Sequence, residues 1–172
     1  MGLGFPAFLT AIVLASCSAP EFPAALAPGA APCSVAETGR LDTSLIHEAS
    51  GLAVSRRYGG RLYHVNDSGD SGRFFQTAMD GSGTRPVVID GFTPADTEDL
   101  ALGPCGLVDG DCLYVADIGD NNRRRDEVRI VVLEELEEFP GSVAPLATIS
   151  VRYPDGPQDA ESLVLHPNGD LF

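Results

Sequence analysis

Hydrophobic and polar positions alternate in short runs along most of this chain, and the runs recur in the same order. "EASGLAVS" (48–55), "DTEDLALG" (96–103) and "DAESLVLH" (159–166) each place small or acidic residues ahead of an apolar pattern. The patterns are anchored on Leu52, Leu100 and Leu163, spaced 48 and then 63 residues apart. A second run follows each: "RLYHVNDSGD" (61–70), "CLYVADIGDN" (112–121) and "GDLF" (169–172). In the first two copies Asp67-x-Gly69-Asp70 aligns with Asp117-x-Gly119-Asp120. Period-two alternation bounded by Gly, Asp and Asn is the pattern of half-buried strands joined by turns.

Two further runs recur. "RFFQTAMDGSG" (73–83) and "VRIVVLEELEE" (128–138) take the third place, and "TRPVVIDG" (84–91) and "ATISVRYPDG" (147–156) the fourth. The pattern predicts an all-β chain with four short antiparallel strands per copy. Copies fall at about 46–92, 94–156 and 157–172, the third truncated. Such a unit cannot bury both of its faces alone, so it stacks on its neighbours, and a repeat of this size predicts a β-propeller blade. A β-sandwich is the competing reading, and the four-part recurrence argues against it. Propellers are built from about four to eight blades. Two and a half copies therefore predict an N-terminal fragment of a larger ring, with 33–172 as its partial propeller and "VAETGRL" (35–41) as an outer closing strand.

The opening residues change the picture of where the chain works. "MGLGFPAFLTAIVLASC" is uncharged, and its apolar run ends in Leu14-Ala15-Ser16-Cys17. A short apolar stretch followed by small residues reads as an export signal, too short for a membrane span. The ending resembles the bacterial lipobox. That resemblance implies a lipoprotein signal peptide at 1–16 and lipidation of Cys17. A plain secretory signal is the competing reading. "SAPEFPAALAPGAAP" (18–32) then completes an Ala/Pro-rich tether over 17–32. The expected location is the bacterial cell envelope, periplasmic or outer surface, anchored to the membrane through the lipid.

Export also bears on the other cysteines. An oxidising compartment favours disulfides. Cys105 and Cys112 flank "GLVDGD", a turn-like loop that a Cys105–Cys112 disulfide would staple. Two cysteines alone do not make a zinc site. Cys33 is left without an evident partner. The net charge is −14, and no basic run exceeds Arg123-Arg124-Arg125. Phosphate binding needs a positive surface, so a nucleic-acid partner is excluded.

Taken together, "EASGLAVSRR", "LYHVNDSGD", "ADTEDLALGP", "LYVADIGDNNRRR" and "YPDGPQDAESLVL" resemble a group of exported bacterial β-propeller lipoproteins of the NHL/WD40-like kind. More distantly they are similar to the calcium-dependent group of gluconolactonase, senescence marker protein and the esterase-like phytase domain. The resemblance covers about residues 35–172 and implies six blades when complete. In the enzymatic members a channel metal is held by acidic and amide side chains that open the inner strands. The positions here that match are Glu48, Glu98 and Glu161, with Asp99 beside Glu98. Strict alignment sets Ser50 or Ala49 opposite Glu98 in the first copy.

The acidic turns add Asp67 and Asp117 to the candidate ligands. Ca2+ takes six to eight oxygen ligands, and carboxylates crowded at equivalent turns would be relieved by a divalent cation. Solvated turn carboxylates are the competing reading, and no D-x-D-x-D-G run is present. "NDSGDSG" (66–72) looks like a hydrolase serine at Ser71, but it lacks the strand–Ser–helix context of a nucleophile elbow. A turn between second and third strands explains it better. Arg123, Arg124 and Arg125 read as a solvated edge, with pairing to Glu134, Glu135, Glu137 and Glu138 as the alternative. His47, His64 and His166 read as structural. The expected function is a binding or scaffold module for a protein or small-molecule ligand. The alternative is a divalent-metal-dependent hydrolase of the lactonase or phosphoesterase type.

Overall fold

A computed structural model describes residues 36–172, so the export segment, Cys17, the tether and Cys33 lie outside the described residues. Among the described residues the chain is all-β, without a helix. The first four strands are β1 (Ala49–Val54), β2 (Arg61–Asn66), β3 (Arg73–Ala78) and β4 (Arg85–Ile89). They form an antiparallel meander in chain order. The second group is β5 (Asp99–Pro104), β6 (Asp111–Asp117), β7 (Val128–Glu134), β8 (Ser142–Val143) and β9 (Ala147–Val151). Here β5, β6, β7 and β9 repeat the meander, while β8 joins the first sheet parallel to β4. The turns sit where Gly allows left-handed backbone, as at Gly69 (φ 87°) between β2 and β3.

The two sheets pack face to face. Ala53, Tyr63, Val65, Phe74, Val87 and Ile89 of the first meet Leu100, Leu113, Val115, Val131 and Leu133 of the second in one buried cluster. At the centre, β1 and β5 approach so closely that a Cβ on Gly51 would fall 2.5 Å from the Leu100 amide nitrogen. The opposite face of the second sheet carries a second cluster. Tyr114, Ala116, Ile130 and Val132 pack there under Leu163, Leu165 and Leu171 of the C-terminal segment.

The connection from β7 to β9 straps the sheets together. Phe139 inserts against Tyr63 and Phe74, with ring centroids 6.0 and 5.0 Å away in edge contacts. Arg61 donates to the Leu136 and Glu137 carbonyls at 2.7 and 2.6 Å. The strap ends as β8, which pairs with the otherwise open edge of β4 and so covers a sheet edge. Cys105 and Cys112 are joined by a disulfide across the β5–β6 turn.

Two local expectations need correction. Residues 36–42 form no strand; Arg40 N–H donates once, to the Asp80 carbonyl at 3.0 Å, and the segment joins no ladder. In the arginine run Arg123 and Arg124 are exposed, as a solvated edge requires, and Arg125 alone departs from it. Arg125 turns back to Asp117 instead, at 2.9 Å, because Asp117 is fully buried and needs the charge. The turn alignment also slips by one residue. His64 lies opposite Leu52 and Val115 opposite Leu100, so Asn66 is the counterpart of Asp117, and Asp67 that of Ile118.

Candidate metal centre

Leu52, Leu100 and Leu163 are each preceded by polar residues four and two positions earlier. They are Glu48 before β1 and Ser50 within it, Asp96 and Glu98 before β5, and Asp159 and Glu161 ahead of Leu163. Main-chain hydrogen bonds fix the middle segment. Glu98 N–H donates to the Ala116 carbonyl at 3.0 Å, and Gly119 N–H to the Asp96 carbonyl at 3.1 Å. The Ala95 and Asp96 N–H groups both donate to Asp117 Oδ1, at 2.9 and 2.7 Å. Ser50 Oγ donates to the Glu98 carbonyl and ties the neighbouring strand to it.

This framework turns Asp96 and Glu98 inward beside Asp67, which follows β2. One ligand oxygen from each of Asp67, Asp96 and Glu98 lies within 4.8 Å of the other two. Asp96 is 8% exposed and Glu98 4%. Among the described residues Asp96 Oδ1 is buried without a hydrogen-bond partner, and Asn121 Nδ2 reaches the other oxygen at only 3.4 Å. Gly119 leaves the space for these carboxylates, since a Cβ there would fall 2.6 Å from the Asp96 carboxyl carbon.

The electrostatics follow from that crowding. Burial, then the Asp67, Glu161 and Asp96 carboxyls, push the Glu98 pKa up to about 8. Asp96 is also raised, first by burial and then by Asp67 and Asp159; Asn121 and Arg125 work against the rise. Three carboxylates with one buried unpaired oxygen are mutually repulsive without a cation. An all-oxygen, carboxylate-rich donor set suits a hard divalent ion such as Ca2+ or Mg2+. The residues present therefore fit such an ion, with Asp67, Asp96 and Glu98 as the ones to hold it and Glu161 beside them.

Of the residues expected from sequence, Asp67, Glu98 and Glu161 come together. Glu48 does not join the cluster; it is exposed at the position equivalent to Asp96, and Ser50 stands where Glu98 stands. Asp117 lies behind the cluster and is committed elsewhere. Its Oδ2 accepts from Arg125 and Arg129 at 2.9 and 2.7 Å, while Oδ1 caps the two N–H groups. Its counterpart Asn66 does the same work in the first sheet, accepting from Glu48 N–H at 3.4 Å and donating to the Leu45 carbonyl at 2.9 Å.

Asp96 is the member of the acidic cluster that sequence reasoning missed. The signal was present, because Glu48 and Asp96 stand 48 residues apart, the same step as the anchor leucines. Asp70 is held below the usual carboxylate range: burial opposes ionisation, but Arg73, the Ser71 N–H and Asn66 outweigh it. Ser71 is exposed in the β2–β3 turn, and its N–H donates to Asp70 at 2.7 Å. His64 is buried against Thr77 at 3.0 Å. No family model, curated protein or solved structure matches this chain.

Proposed function

We propose that the two sheets are blades of an exported β-propeller that serves as a binding or scaffold module at the bacterial cell envelope, with a divalent cation bound by Asp67, Asp96 and Glu98. The observation that carries the cation is the unpartnered, buried Asp96 Oδ1 among carboxylates that repel one another. The propeller reading draws on two meanders of the same strand order and on inner strands β1 and β5 lying side by side. The ion ties Asp67 of the first sheet to Asp96 and Glu98 of the second, so it stabilises the junction between blades. Ca2+ is the expected ion because its larger, more flexible shell tolerates a mixed set of carboxylates and carbonyls.

The envelope location follows from the lipobox-like Leu14-Ala15-Ser16-Cys17. The anchored domain would present its ligand-binding loops to a protein or small molecule. A melting-temperature titration with CaCl2 and MgCl2 tests the cation. A rise with either supports the reading, and an unchanged melting temperature with both overturns it. Cys17→Ser should abolish lipid labelling and membrane retention; unchanged fractionation removes the anchor. Metal-dependent hydrolysis of a lactone or phosphate ester is the reading set aside here, and Ca2+-dependent turnover of either class would reinstate it.

A further inference from the structure

We infer that Asn121 is a further ligand of the cation site, through its amide oxygen, so that the site extends beyond the three carboxylates to the loop after β6. This deepens the cation reading above and rests on it. Asp96, 8% exposed and with an unpartnered Oδ1, is the group that calls for an ion, and Asn121 reaches the same carboxyl. Asn121 Nδ2 lies 3.4 Å from Asp96 Oδ2. An N–H···O hydrogen bond is ordinarily about 2.7–3.2 Å long, so this contact is a poor one. Two oxygens each about 2.4 Å from one Ca2+, and at right angles about it, stand about 3.4 Å apart. The separation therefore suits two neighbours in a coordination shell better than a donor and its acceptor. Turning the amide over exchanges Nδ2 for Oδ1 with no change of shape. Among the described residues this is the one hydrogen bond of the Asn121 side chain, so little opposes the turn.

The loop holds Asn121 in place. Gly119 N–H donates to the Asp96 carbonyl at 3.1 Å, and Asp120 N–H to Asp159 Oδ1 at 2.7 Å. The Asp120 carbonyl accepts from Arg123 N–H at 2.7 Å, and its carboxylate from Arg125 N–H at 2.6 Å. Backbone bonds thus fix the chain on both sides of Asn121, and its amide is presented to Asp96 before any ion arrives. The first copy uses the position differently. Asp70 follows Asn66 by four residues as Asn121 follows Asp117, and strand pairing makes Asn66 the counterpart of Asp117. Asp70 is committed inside its own turn, accepting from Asn66 at 2.8 Å and from Arg73 at 3.0 Å. An amide at the second position adds an oxygen donor without adding repulsion to the ion-free cluster.

The test uses the full chain in mild detergent and two variants at this exposed residue. In calorimetry with CaCl2, Asn121→Ala should bind about 10-fold more weakly or worse, while Asn121→Asp, which keeps the oxygen and loses the N–H, should bind at least as tightly as the wild type. Luminescence lifetimes of Tb3+ in H2O and D2O then count the waters on the bound ion. Asn121→Ala should carry about one water more than the wild type, and Asn121→Asp the same number. Binding of Tb3+ by the variants also shows that their sites are folded. Unchanged Ca2+ affinity in Asn121→Ala overturns the inference and leaves the ion on the carboxylates. A weaker Asn121→Ala with an unchanged water count overturns it in favour of a residue that only positions Asp96. A wild type that binds neither ion overturns the cation reading, and this inference with it.

Discussion

Gly119 lies directly against Glu98: a methyl group at residue 119 would enter the space of the Glu98 carboxylate and of Asp96 behind it. Glycine is therefore required there for room, since its backbone is not in the left-handed region. Gly119→Ala should weaken divalent-cation binding by about 10- to 100-fold, the scale of disturbances that misplace ligands from behind. Calorimetric titration of the variant checks this, and wild-type affinity would remove Gly119 from the site.

The ion-free protein should lose stability as pH rises. The Glu98 pKa is raised from 4.5 to about 8, so the folded chain keeps this proton where the unfolded chain has released it. The native state then binds more protons across that window, and stability falls with pH until about 8. Asp96 is shifted in the same direction. Asp70 is shifted the other way, and its contribution is lost only on acidification below the ordinary carboxylate range. Melting temperatures in chelator should therefore decline from mildly acidic to mildly basic pH. Glu98→Gln or saturating Ca2+ should flatten the decline, and a rise across the window in chelator would contradict this electrostatic picture.

Asp117 should behave as a structural carboxylate. It is fully buried and serves two arginines and two N–H groups. Asp117→Ala strands all four donors and should cost about 3–5 kcal/mol in urea unfolding. Asp117→Asn keeps an oxygen for the N–H groups, as Asn66 does in the first sheet, and should cost less. Equal losses for the two variants would mean that only the arginine pairs matter.

The Cys105–Cys112 disulfide closes a short loop at the end of β5 far from the acidic cluster. Replacing both residues by Ala should lower stability by about 2–3 kcal/mol through the gain in unfolded-chain entropy. Cation affinity should not change. A variant that loses cation binding would show that the turn positions β5 along its whole length.

Much of the strand plan was legible because alternation and turn chemistry agree. "RLYHVN" and "DCLYVAD" became β2 and β6, and "NDSGDSG" became the turn that its glycines and aspartates indicate. The cation cluster was legible in part. Glu98, Glu161 and Asp67 carried the signal of acids at strand entries and turns, and they meet. Asp96 was hidden because it reads as a loop residue, and only main-chain bonds to Asp117 and Gly119 turn it inward. Asp117 was misjudged because a one-residue slip in aligning the turns set it beside Asp67. Strand pairing, which no turn motif reveals, gives it the place of Asn66. The strap through Phe139 was invisible for a related reason. Its pairing with β4 is parallel and distant in sequence, so no local pattern announces it.

The central claim is a divalent-cation site made by Asp67, Asp96 and Glu98. Isothermal calorimetry with CaCl2 near neutral pH, repeated in two buffers of different ionisation enthalpy, addresses it most directly. One ion should bind per chain, and a proton should be released as the ion displaces it from Glu98. Asp96→Asn and Glu98→Gln should each remove binding or weaken it more than about tenfold. Absence of binding in the wild type, or binding that both variants retain unchanged, would contradict the account.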